Sequence, residues 1–160
     1  MSDERPPEEE TPKERADREL IELLNELRVV LPGVTVLLAF LLAVPFAKGW
    51  TRVTSFQRDV FVVAFLSTAV SVALLTAPSS YHRLRFRQGN KERIVKIGSR
   101  LTIAGIAVSA VSLLAVVVLV MDFVVSRGAA IAAAASLFVV VVVFWYGLAL
   151  VAELRDRSAR

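Results

Sequence analysis

The chain has 160 residues, 56% of them hydrophobic and 21% charged, and these two classes are segregated along its length. Four stretches contain no Asp, Glu, Lys, Arg or His: 29–47, 60–81, 101–121 and 128–152, together 87 residues. Each meets the length of about 20 residues that a helix needs to cross roughly 30 Å of hydrocarbon, which excludes a single soluble core and predicts a polytopic membrane protein. The net charge of +4 matters less than where the charges sit.

Cysteine is absent, so disulfides, thiolate nucleophiles and Cys-containing metal sites are excluded, and the single His82 cannot form a His-rich cluster alone. No cofactor is expected.

Residues 1–10 are rich in Pro and Glu and almost free of apolar side chains, a composition that predicts a disordered acidic tip. Thr11-Pro12-Lys13-Glu14 has the form of a capping box: a hydroxyl N-cap, Pro at the first helical position and Glu three residues after the cap. From there an amphipathic cytoplasmic helix is predicted over 11–28, with Leu20, Leu23, Leu24, Leu27 and Leu31 on one face. The first apolar stretch starts late, after an acidic lead, so it is expected to remain in the mature protein rather than act as a cleaved signal.

Span one (29–47) carries Pro32-Gly33 near its start, where a bend is expected, and Pro45 near its end. Trp50 follows, in the position of an indole anchor at headgroup depth. Span two (60–81) opens after Arg58-Asp59 and closes near Pro78. Span three (101–121) emerges from Asn90-Lys91-Glu92-Arg93, and span four (128–152) follows after only Asp122–Arg127, so the last two spans form an antiparallel hairpin. Residues 153–160 form a charged tail.

Orientation follows from Lys and Arg in short connections and near span ends. The N-terminal segment holds five, the loop between spans two and three seven, and the C-terminus three, against Lys48, Arg52, Arg58 and Arg127 on the other side. Both termini and the basic loop are therefore expected in the cytoplasm, with the protein in the plasma membrane. The predicted architecture is all-α: a four-helix transmembrane bundle of sequential neighbours, preceded by the amphipathic helix.

Ionisable residues inside a span usually mark coupled transport, and here no span has one at mid-depth. Asp59 and Asp122 lie at the outer span ends, where they read either as an outer ion site or as helix-end carboxylates paired with Arg58, Arg52 or Arg127; the second reading is favoured. Hydroxyls at Thr35, Ser67, Thr68, Ser71, Thr76, Ser109, Ser112 and Ser136, with Gly105 and Ser109 as a small-xxx-small pair, read as helix-packing devices in preference to a polar path. Ala129–Ala135 reads as a close-packing face and Val139–Val143 as lipid-facing.

The basic hairpin 82–100 is the densest functional signal, with +6 net charge over Arg83–Arg100 facing −5 over residues 1–28. Arg85, Arg87, Lys91, Arg93 and Lys96 are expected to meet anionic headgroups or a partner, unless the loop is merely the topology determinant. Glu26 and Arg28 at the entrance of span one are expected to meet His82 and Arg83 at the exit of span two as an inner-face polar cluster. Nothing in the spacing assembles a nucleophile, a base and an orienting group, so an enzyme is not expected, and no stacking platform accompanies the basic loop for nucleic acid. The surplus of Gly, Ala and Ser in spans three and four predicts a homo-oligomer, a dimer.

Asn25-Glu26-Leu27-Arg28-Val29, Pro32-Gly33, Pro45-Phe46, Gln57-Arg58, Ala77-Pro78, His82-Arg83, Phe86-Arg87, Lys91 and Asp122 together resemble a small four-span membrane protein family common in actinobacteria, a domain of unknown function. The resemblance runs from Leu20 to Val125. It implies the host phylum, the topology and a shared role for Glu26, Arg28, His82 and Arg83; some members carry the label sodium:proton antiporter. On the residues alone, the reading is a non-enzymatic binding or regulatory membrane protein acting through its basic hairpin, with a small cation or proton transporter or channel subunit as the alternative.

Overall fold

The computed structural model describes the backbone of residues 11–85 and 91–144, and their side chains except at 12, 13, 16, 81–85 and 91–94. Four helices make up this region: α1 (Pro12–Ala43), α2 (Ser55–Arg85), α3 (Lys91–Val124) and α4 (Arg127–Val142), with no strand among the described residues. Three stretches are long and apolar enough to cross a membrane: Asp17–Phe46, made of α1 and the short 3-10 turn that follows it, Ser55–Ser80 in α2 and Val95–Val124 in α3. The protein is an all-α membrane protein. At 1.5 Å per residue the 34 residues of α3 span about 51 Å, well beyond the roughly 30 Å of hydrocarbon, so its ends stand outside the apolar layer.

The capping box at the start of α1 is formed as its sequence predicts. Glu14 N–H donates to Thr11 Oγ1 at 3.3 Å, and Thr11 N–H donates to Glu14 Oε2 at 2.9 Å, satisfying two orphan donors reciprocally. The amphipathic segment and the first span are one continuous helix of 32 residues that passes through Pro32. Thr35, one turn later, donates its hydroxyl to the carbonyls of Leu31 and Pro32, both at 2.9 Å.

Helices α1, α2 and α3 touch one another, with the largest interface between α2 and α3, whereas α4 packs on α3 alone among the described residues. Sequential neighbours are thus adjacent, in an open rather than a closed arrangement. Two apolar clusters hold α1 to the others: Leu23, Leu27, Val34 and Leu75 near the start of α1, and Leu41, Phe61, Ala64 and Leu119 near its end. Trp50 belongs to the second, its indole edge-on to Phe61 with ring centroids 4.8 Å apart. It is half-buried against this core, a role that its position before a span did not reveal.

Between α2 and α3, buried polar and small groups add to the apolar contacts. Ser71 donates to the Gly105 carbonyl at 2.8 Å and Ser112 to the Ala64 carbonyl at 3.0 Å, while the hydroxyls of Thr68 and Ser112 meet directly. Gly105 permits the approach, since a Cβ there would stand 2.8 Å from Leu75 Cγ. The hydroxyls of Ser67, Thr76, Ser109 and Ser136 bond to carbonyls of their own helices instead. On α4, Ala130 and Val141 are buried, and Val139, Val140, Val142 and Val143 are exposed. The expected span 128–152 lies partly outside the described residues.

Candidate functional site: an amphipathic cavity at the basic end

Leu23, Pro78 and Gly98 mark one level of the structure, because a Cβ at Gly98 would lie 3.5 Å from Pro78 Cβ and 3.6 Å from Leu23 Cδ1. The start of α1, the end of α2 and the start of α3 therefore share one end of the molecule. This is the end to which the sequence assigns the basic hairpin, and we call it the basic end.

A cavity of about 380 Å³ lies there between α1 and α2. Its apolar floor is built by Leu24, Leu27 and Leu31 of α1 and Leu75 of α2, and its polar wall by Arg28, Thr76, Ser79 and Ser80. Helical periodicity accounts for the combination. Residues 24, 27, 28 and 31 recur on one face of α1, and residues 75, 76, 79 and 80 recur on one face of α2. Arg28 and both serines are exposed, and Leu27 and Leu75 belong to the core, so the cavity grades from wet to apolar.

The polar groups differ in what they have left to offer. Thr76 spends its proton on the Val72 and Ala73 carbonyls at 2.9 and 3.1 Å, leaving oxygen lone pairs. Ser80 reaches the Thr76 carbonyl at 3.4 Å, longer than a well-formed bond. Among the described residues, Arg28 has no acidic partner and Ser79 no hydrogen-bond partner.

Of the expected inner-face cluster, the structure thus brings Arg28 to the α2 side. Glu26 is exposed and stands on α1 roughly 200° around the helix from Arg28, on the flank away from the cavity. The side chains of His82 and Arg83 lie outside the described residues, as do those of Arg85, Arg87, Lys91 and Arg93. Lys96 is exposed on α3.

At the opposite end, Asp122 is fully engaged. Its Oδ1 accepts from Arg127 Nε at 2.5 Å and its Oδ2 from Gln57 Nε2 at 2.8 Å, and the carboxylate side chain is only 6% exposed. The Arg127 guanidinium also covers the Phe56 ring, 3.6 Å from its centroid. Gln57 is held in turn by a second capping box, with Thr54 N–H donating to Gln57 Oε1 at 3.0 Å and Gln57 N–H to Thr54 Oγ1 at 3.3 Å. Asp59 is exposed two residues further along α2, turned about 200° from Gln57, and makes no ion pair among the described residues. Gln57 was missed as a site residue, although Thr54-Ser55-Phe56-Gln57 carries the capping signature in plain sequence. No group of three or more acidic or His side chains gathers as metal ligands among the described residues.

A family model described as a family of unknown function (DUF6328) matches residues 9–149, nearly the whole chain. The chain belongs to this family. The match takes in both capping boxes, the cavity and the Asp122 cluster, so the DUF6328 domain is the structural unit described above. No curated protein and no solved structure matches the chain.

Proposed function

We propose that this DUF6328 protein is a non-enzymatic binding or regulatory protein of the plasma membrane, with both termini and the hairpin 82–100 in the cytoplasm, acting on anionic lipid headgroups through its basic end. The observation that carries the reading is the cavity at the basic end beside Arg28, a cation without an acidic partner among the described residues, with Leu24, Leu27, Leu31 and Leu75 in the same lining. The Lys and Arg distribution supports it, since each cation near an anionic surface contributes about 1 kcal/mol of attraction.

The alternative, a small cation or proton transporter, leans on Asp59 and Asp122. Asp122 is committed to Arg127 and Gln57, and Asp59 is turned away from Gln57 on α2, so the two do not form a shared mouth. No span carries an ionisable group at mid-depth, where coupled transport normally places one.

The test is the anionic phospholipid that the purified protein carries through detergent extraction. Neutralising Arg83, Arg85 and Arg87 to Gln should reduce it at least about twofold, since the hairpin loses three of its attractions to anionic headgroups. An unchanged amount would refute a role for the hairpin. We further propose a homodimer, supported by α4, which among the described residues packs only on α3 and leaves Ala132 and Ala135 exposed. Crosslinking in native membranes that yields only the 17.5 kDa species would refute it.

A further inference from the structure

We propose that the cavity between α1 and α2 is a binding site for one molecule of an anionic glycerophospholipid with a hydroxylated headgroup, its phosphodiester on Arg28 and Ser79. This rests on the reading of the basic end as a lipid-binding surface and adds a discrete site with a stated selectivity.

The argument starts from the donor and acceptor inventory. Arg28 offers a planar fork of N–H donors without an acidic partner among the described residues, and Ser79 offers an O–H that bonds to nothing described. Together they match the unesterified oxygens of one phosphodiester, which carries a single negative charge against the single positive charge in the cavity wall. Thr76 presents oxygen lone pairs beside these donors, because its proton is held by the Val72 and Ala73 carbonyls, and the Ser80 hydroxyl stands next to it. Acceptors next to a phosphate site favour a headgroup with its own O–H donors. A zwitterionic headgroup instead brings an ammonium toward Arg28, which opposes it.

Size and placement select a membrane lipid over a free phosphate. A soluble anion has no use for the four leucines of the lining, of which Leu31 and Leu75 lie on the inner side of Arg28 and Ser79, toward the bilayer centre, and Leu24 and Leu27 pack beside them. A volume of about 380 Å³ lies at the lower end of small-molecule sites, room for a headgroup and the first carbons of its chains, while the remaining chain lies along the protein's outer surface. The lining comes from α1 and α2 alone, so the site is a lateral cleft that a leaflet lipid can enter without displacing α3 or α4.

The experiment is native mass spectrometry of the detergent-purified full chain, titrated separately with dioleoyl phosphatidylglycerol and dioleoyl phosphatidylethanolamine. The wild type should retain one phosphatidylglycerol about tenfold more tightly than phosphatidylethanolamine, because both phosphodiesters meet Arg28 but only the ethanolamine ammonium is set against it, an opposition of about 1.4 kcal/mol. Arg28→Gln should abolish that preference, Arg28→Lys should keep most of it, and Ser80→Trp should remove it by filling the cleft with the charge intact. Water-soluble glycerophosphoglycerol should not displace the lipid at equal concentration. Equal retention of the two lipids, wild-type behaviour of Arg28→Gln, or wild-type behaviour of Ser80→Trp would each overturn the proposal, as would displacement by the soluble headgroup. Melting temperatures in the same detergent identify any variant that has lost its fold; Arg28→Lys and Ser80→Trp then decide between charge and space. The hairpin variant of the preceding section separates the two claims: it lowers total carried lipid and leaves the single tight phosphatidylglycerol in place.

Discussion

Gln57 donates its side-chain amide to the Asp122 carboxylate at 2.8 Å across 65 positions of sequence, joining the first turn of α2 to the last turn of α3. The bond is oriented from behind, because the amide oxygen of Gln57 accepts the Thr54 backbone N–H and so turns the NH2 group toward Asp122. Replacing Gln57 by Leu leaves one carboxylate oxygen without its donor, and Asp122→Asn strips Arg127 of its counter-charge. Each should destabilise the protein by about 1–3 kcal/mol. In thermal melting of the single and double variants, the coupling between them should come to about 1 kcal/mol; strict additivity would show that the two groups act separately.

Two glycines should respond in opposite ways to alanine. At Gly105 a methyl group meets Leu75 Cγ at 2.8 Å and Leu74 Cβ at 3.3 Å, across the α2–α3 interface, so Gly105→Ala should cost about 1–3 kcal/mol. At Gly33 nothing lies within 4 Å, and Gly33→Ala should be neutral or stabilise α1 by up to about 1 kcal/mol. Melting temperatures of the two variants check the contrast directly.

Much of the fold was legible because its signals are local. Apolar stretches of spanning length and the Thr11–Glu14 capping box depend on residues within one helix; the capping box forms as its sequence predicts, and three of the apolar stretches lie in helices of spanning length among the described residues. The Gln57–Asp122 bond was not legible, since nothing near either residue names the other. The position of α4 was not legible either: an alanine-rich face shows that a helix can approach another closely, without saying that, among the described residues, it is α3 that receives it. At the candidate site, Arg28 was found from its place at the span entrance. Its neighbours Thr76, Ser79 and Ser80 became site residues only once α2 lay beside α1.

The Thr11 bonds hold the Glu14 carboxyl below its ordinary range, first through the side-chain hydroxyl and then through the backbone N–H. A carboxyl whose folded value is depressed stabilises the fold above its unfolded value and loses that contribution as pH falls through the folded one. Acidification through and below the usual Glu range should therefore speed amide exchange at Glu14 and Arg15 relative to α3, after correction for intrinsic rates. Thr11→Ala should fray the same turn at neutral pH and abolish this pH dependence.

The proposed orientation is open to direct labelling because the parent chain contains no Cys. Ser80 is exposed at the basic end, and Ser126 is exposed at the other, where it caps α4 by accepting from Ala129 N–H. An impermeant thiol reagent on intact cells should label Ser126→Cys and leave Ser80→Cys unlabelled. The reverse pattern would place the basic end outside the cell.

The measurement that bears most directly on the central claim is ion flux through the purified protein in liposomes containing a pH-sensitive dye, challenged in turn with Na⁺, K⁺ and proton gradients. A binding or regulatory protein whose Asp122 is locked by Arg127 and Gln57 should give traces indistinguishable from empty liposomes, in the wild type and in Asp59→Asn and Asp122→Asn alike. Flux above that background in the wild type that disappears in either variant would contradict the account and establish the transporter.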